Sequence, residues 1–255
     1  MFPMAPITLP DAMQPAQEQG WLTLLDLATN FSPGWCLVGG QMVWLLAAEH
    51  GATPLRATDD VDVVVDIRSE PTGIQALCGW LEENEFGLEG INPEGIGNRF
   101  VKPANPGPGN IVFDVLALDN AGPRANLSTT GGARTVEAAG SRRALNSADR
   151  VEVTVADKTG WVYRPNLLAA VILKAAATTI PTRTDVEIDL SDAAFLLSLI
   201  PDPLAAARKL SKSDRGPLRS LTPLLDENHR AWRPLGRDRS RLGQTTLDLM
   251  LNPGA

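Results

Sequence analysis

Histidine and cysteine are scarce in these 255 residues, with two of each. Cys36 and Cys78 stand among apolar neighbours, which reads as reduced core thiols and offers no disulfide frame. With His50 and His229 as the only imidazoles, a zinc site lacks its usual ligands, and a Ser-His-Asp triad would rest on one of two isolated histidines. No apolar run approaches the roughly eighteen residues of a membrane span, so the expectation is a soluble chain with no membrane partner. No lysine or arginine precedes Arg56. The start therefore lacks a basic n-region, Met1 to Pro10 does not read as a secretory signal, and a cytoplasmic location is expected. The dinucleotide fingerprint GxGxxG is missing as well.

What remains is ordinary globular material, 44% apolar and 21% charged, long enough for one large domain or two modest ones. The net charge of −7 is uneven. Residues 201–255 carry ten basic and six acidic residues, a balance of +4, against −11 for the rest. Such a tail is either a footprint for nucleic-acid phosphates or an arginine-rich solvated surface.

Two stretches concentrate the chemistry. The first is Leu37-Val38-Gly39-Gly40, a short buried strand from Trp35 turned by two glycines into a helix over Gln41 to Glu49. A strand–glycine–helix junction lets backbone amides approach a phosphate at a helix N-terminus, although a Gly pair also marks plain tight turns. The second is Arg56-Ala57-Thr58-Asp59-Asp60-Val61-Asp62 followed by three valines. In a strand, residues i and i+2 share a face at about 6–7 Å, so the Asp60 and Asp62 carboxylates converge toward one divalent ion. Transfer of phosphoryl or nucleotidyl groups needs hard oxygen ligands of this kind, often for two Mg²⁺ ions about 3.5–4 Å apart. Asp114, the lone carboxylate in the apolar strand Ile111 to Leu118, is the natural third acid, because a buried charge must be paired or metal-bound.

The flanking elements read as follows. Residues 1–20 form a poorly ordered lead-in, and Trp21 to Thr29 a helix ended by Asn30 and Pro33. A helix covers Ile74 to Asn84. Gly87 to Gly109 is a proline-broken loop holding Arg99 and Lys102. A hairpin lies near Gly131 to Glu137, and Val151 to Val155 is a strand. Asn166 opens a helix over Leu167 to Ile180 whose interior, Leu167 to Ala177, is apolar on every side apart from Lys174, whose ammonium must reach a carboxylate, a phosphate or the rim. An acidic run, Asp185 to Asp192, precedes a helix over Ala193 to Ile200, with Asp189 and Ser191 read as helix caps. A soft boundary near Trp161 to Pro165 divides a core, 21–160, from a helical C-terminal domain with its basic tail, 161–255.

Taken in order, Gly39-Gly40, Arg56-x-Thr58-x-Asp60-x-Asp62, Asp114, Leu173-Lys174 and Asp192 resemble the AbiEii/AbiGii toxin-type nucleotidyltransferases of the DNA polymerase β-like superfamily, over about residues 37–199. The resemblance implies an α+β fold, a mixed β-sheet flanked by helices with a helical C-terminal part. It implies Mg²⁺-dependent transfer of a nucleoside monophosphate from an NTP to an acceptor. The glycine pair, with Arg56 and Thr58, would hold the triphosphate; Asp60 and Asp62 would bind Mg²⁺; Lys174 would contact phosphate; Asp192 would lie near the site. The acceptor would be an RNA 3′ end, tRNA included, or a protein hydroxyl, and such toxins have a separately encoded antitoxin partner. The chain departs from the wider superfamily in having Gly40 where Ser is common and Ile188-Asp189 where a Lys-Asp or Lys-His pair is frequent. A small-molecule, antibiotic-type nucleotidyltransferase and a decayed nucleotide- or RNA-binding module are the alternatives.

Overall fold

Runs of apolar, largely β-branched residues supply the strands at the centre of the fold. The computed structural model describes residues 6–10, 13–31 and 34–252. A two-residue strand, β1 (Ile7–Thr8), leads into α1 (Pro15–Asn30), then β2 (Trp35–Val38), α2 (Gly39–Glu49), β3 (Asp60–Val65) and α3 (Gly73–Glu83). There follow β4 (Gly87–Leu88), β5 (Arg99–Pro103), β6 (Asn110–Leu118), β7 (Glu137–Ala138), α4 (Ser141–Leu145), β8 (Ala148–Val155) and β9 (Lys158–Pro165). The C-terminal part is helical: α5 (Leu167–Ala177), α6 (Val186–Ser198), α7 (Pro203–Arg208), α8 (Arg215–Leu218), 3₁₀ turns over Arg219–Leu225 and Arg230–Leu235, and α9 (Arg237–Leu251).

The larger sheet runs β2-β3-β6-β5-β4, with β7 beside β6. It is mixed: β3 and β6 are parallel, while β2 and β5 flank them antiparallel. Val61, Val63, Phe113 and Val115 are fully buried, and the Phe86 ring meets Phe113 edge-on at 5.4 Å. Each such side chain contributes about 1.5–3 kcal/mol by leaving water. Helix α1 adds Trp21, Leu24, Leu25 and Leu27 to the same core. The chain is thus α+β, a mixed sheet flanked by helices with a helical C-terminal part. Among the described residues no helix is long and apolar enough to cross a membrane.

Several expectations change. Residues 1–5 and 11–12 of the supposed lead-in, and Pro33, lie outside the described residues, as do the last three residues of the basic tail. The rest of the lead-in is structured, because Ile7 and Thr8 pair in parallel with β8 and the first turns of α1 bury Ala16 and Gln17. The proline-broken segment contains β5, paired along its whole length with β6; its prolines sit at the strand's end and in the loops on either side, where no ladder N–H is needed. The hairpin near Gly131 shrinks to one bridge, Ser128 with Arg134. All of the acidic run after Asp185 lies inside α6, and the change from strand to helix falls between β9, which ends at Pro165, and α5. The all-apolar helix stops at Ala177, after Asn166 caps it by accepting from the Ala169 amide at 3.0 Å.

Candidate active site

Strand register brings the acids together. Asp62 is the direct partner of Asp114 across β3 and β6, and of Val38 across β2, while Asp60 lies two residues earlier on the face of Asp62. All three carboxylates line a cleft of about 550 Å³ with Gly39, Gly40, Arg56, Thr58 and Lys174. Of the site residues expected from the sequence, only Asp192 does not line this cleft; it lies just behind it, bonded to both Arg56 and Lys174.

Both glycines are explained by close approach. Gly39 starts α2 at φ +65, and a β-carbon there would fall inside the Asp62 carboxylate. At Gly40 a β-carbon would stand 2.5 Å from Thr58 Oγ1. The segment bearing Arg56 and Thr58 is tied to α2, since Gln41 donates to the Thr58 carbonyl and Trp44 to that of Arg56, both at 2.7 Å. The first turn of α2 has no side-chain cap, which leaves its amides to face the cleft end of the helix.

The electrostatics are unequal across the acids. Among the described residues no hydrogen-bond donor reaches Asp62. Burial, then the neighbouring Asp114 charge, pushes its pKa up to about 7, against the pull of Lys174. Burial also raises Asp60, opposed by Arg99. Asp114 is held by a fork: Arg99 Nε donates to Oδ1 at 3.0 Å and Nη2 to Oδ2 at 2.6 Å, and the same Nη2 reaches Asp60 Oδ2 at 3.2 Å. As the side chains stand, no three carboxylate, thiol or imidazole groups among the described residues converge tightly enough to hold a metal ion. The guanidinium lies between Asp60 and Asp114 instead.

Opposite the strands, Lys174 is buried and bound to two carboxylates, Asp192 at 2.8 Å and Asp189 at 3.3 Å. Asp189 also accepts from Arg183 Nε at 2.7 Å, and Asp192 from Arg56 Nη2 at 3.2 Å. Asp189 is therefore no cap. Neither is Ser191, whose hydroxyl bonds back to the Glu187 carbonyl at 2.8 Å. Lys174 reaches carboxylates, and the cations with exposed heads along the cleft are Arg56, Arg99 and Arg183.

Sequence reasoning missed Arg99, Arg183 and Asp189. Arg99 and Asp114 are cross-strand partners, which only the recognition of β5 could have shown. Asp189 and Asp192, three apart, share a face once α6 is seen to begin at Val186. A second cavity of about 420 Å³ is lined by Leu46, Leu167, Ile200 and Pro201 among others; of its acids, Glu49 and Asp149 are already taken up by Arg164. Comparison with protein-family models gives no match, and comparison with curated proteins gives none either.

Proposed function

We propose that this protein is a cytoplasmic, Mg²⁺-dependent nucleotidyltransferase that moves a nucleoside monophosphate from an NTP to an acceptor hydroxyl. The observation that carries the reading is the cross-strand pair Asp62–Asp114 with Asp60 on the same face, seated against an uncapped helix N-terminus. The residues suit a hard divalent ion: the site's oxygens are carboxylates, and among the described residues no donor reaches Asp62, which leaves its oxygens to water, a proton or a cation. Asp60, Asp62 and Asp114 would hold Mg²⁺, which offsets the charge that develops on the phosphate oxygens.

The protein's own groups do the rest. The amides at Gly39 and Gly40, with Arg56 and Arg183, bind and orient the triphosphate. Lys174 orients the two arginines' partners, Asp189 and Asp192, rather than serving as a free phosphate ligand. The acceptor oxygen bonds to the α-phosphorus, the bond to the bridging oxygen of the β-phosphate breaks, and pyrophosphate leaves. Asp114 takes the acceptor's proton. An RNA 3′ end, tRNA included, is the acceptor the basic tail suits best; a protein hydroxyl or a small molecule remains an outcome of the test. One observation favours a second reading, a nucleotide-binding module without turnover: the grip of Arg99 on Asp114, which is how a metal-free acid set is neutralised.

The test supplies Mg²⁺ and each α-labelled NTP with RNA, cell protein or small molecules in turn. Label in one acceptor class supports the reading and names the acceptor. Label in none, with the NTP bound, supports the second reading.

A further inference from the structure

We infer that Arg99 is a built-in counter-cation for the acid cluster, a latch that must leave Asp114 before a divalent ion can bind, and that Glu89 is the seat it moves to. The inference rests on the metal-dependent reading proposed above. Its footing is geometric. Arg99 faces Asp114 directly across the antiparallel pair of β5 and β6, so both side chains rise on one face of the sheet. Its fork uses both Asp114 oxygens, and its Nη2 also touches Asp60. A divalent ion on Asp60, Asp62 and Asp114 needs those same lone pairs, and a guanidinium beside it would add like-charge repulsion. Arg99 and the ion are therefore alternatives.

The second seat is close by. Glu89 Oε2 stands 4.0 Å from Arg99 Nε, outside the acid cluster and toward solvent, and the Glu89 amide donates to the Arg99 carbonyl at 2.9 Å. The side chains are 42% and 58% exposed, which leaves the guanidinium room to change partner by side-chain rotation. In the latch itself the Asp114 side chain is 12% exposed and that of Arg99 42%, so water reaches the guanidinium side of the pair. The latch keeps Asp114 and Asp60 from lying uncompensated while the metal is absent.

The experiment measures Mn²⁺ binding alone, by the loss of the free-ion spin-resonance signal, with no nucleotide and no turnover. Arg99→Gln removes the competitor and is expected to tighten Mn²⁺ by about tenfold, the equivalent of about 1.4 kcal/mol. Arg99→Lys, which keeps the charge and loses the fork, is expected to fall between. Glu89→Gln removes the second seat and weakens Mn²⁺ in the wild-type background. That weakening should vanish in Arg99→Gln/Glu89→Gln, because Glu89 acts through Arg99. An undiminished Glu89 effect in the double variant would mean simple attraction through space and overturns the second seat. Equal or weaker Mn²⁺ binding by Arg99→Gln, with wild-type binding intact, overturns the latch and leaves the nucleotidyltransferase reading standing. Failure of every variant to bind Mn²⁺ overturns both.

Discussion

Asp62 is costly to the metal-free protein, and removing its charge should make the fold stronger. Its carboxyl rises from an ordinary 3.8 to about 7. The folded state holds that proton to higher pH than the unfolded state, so folding takes up a proton between about pH 4 and 7 and stability falls as pH rises through that window. A rise of that size corresponds to about 4 kcal/mol, at roughly 1.36 kcal/mol for each pH unit. Water in the open cleft halves this at least, which leaves about 2 kcal/mol. Asp62→Asn keeps the shape and discards the charge. Without divalent ions at pH 8 it should raise the melting temperature by about 4–8 °C, from about 2–4 °C per kcal/mol for a chain of this size. At pH 4.5, where the wild-type carboxyl is already protonated in the fold, most of the gain should disappear. Excess Mg²⁺ should then reverse the order, since a ligand at a hundredfold its dissociation constant adds about 2.7 kcal/mol to the wild type only. Calorimetric melts at the two pH values, with and without Mg²⁺, read all of this. An Asp62→Asn protein no more stable than wild type at pH 8 would refute the reasoning, for the carboxylate would then be satisfied in some other way.

Other perturbations separate the roles of the neighbours. Lys174→Met strips the ammonium from two buried carboxylates, leaving Asp189 to Arg183 and Asp192 to Arg56, and should lower stability by about 2–4 kcal/mol in urea unfolding; unchanged stability would show that the arginines suffice. Gly39→Ala meets both the positive φ and the Asp62 carboxylate, so a drop of about 1–2 kcal/mol from backbone strain is expected together with abolished transfer, measured on the same samples. Replacing Arg237, Arg239 and Arg241 at the start of α9 should flatten the salt dependence of RNA binding by about 0.7 in log–log slope for each phosphate no longer neutralised, with the KM for NTP unchanged. Normal RNA affinity in that triple variant would make the tail a solvated surface.

The acids were legible because their signal is local. Asp60 and Asp62 sit in a run of valines whose period of two fixes their common face, and a lone Asp114 in an apolar strand implied a neighbouring partner. Lys174 was legible as a charge needing a partner, since a helix buried on all sides offers it no solvent. Which partner it takes was not, because the acidic run looks like a capping segment until α6 is known to start at Val186 and turn Asp189 and Asp192 inward. Arg99 was hidden for a different reason. Its strand has five residues between proline-rich turns, and its meaning comes from register with β6, a long-range pairing that no window of sequence contains. The C-terminal part was legible as helical, but α9 begins at Arg237, over arginines that carry no apolar period.

The central claim is transfer of a nucleotidyl group that depends on the paired acids. The measurement that tests it most directly runs wild type and Asp60→Ala side by side with the same NTP labelled either at the α- or at the γ-phosphate, with Mg²⁺ and total RNA. The account predicts that wild type moves only the α-label into acceptor and releases the γ-label as pyrophosphate, and that Asp60→Ala, folded normally by circular dichroism, does neither. Transfer of the γ-label, or full α-label transfer by Asp60→Ala, would contradict it.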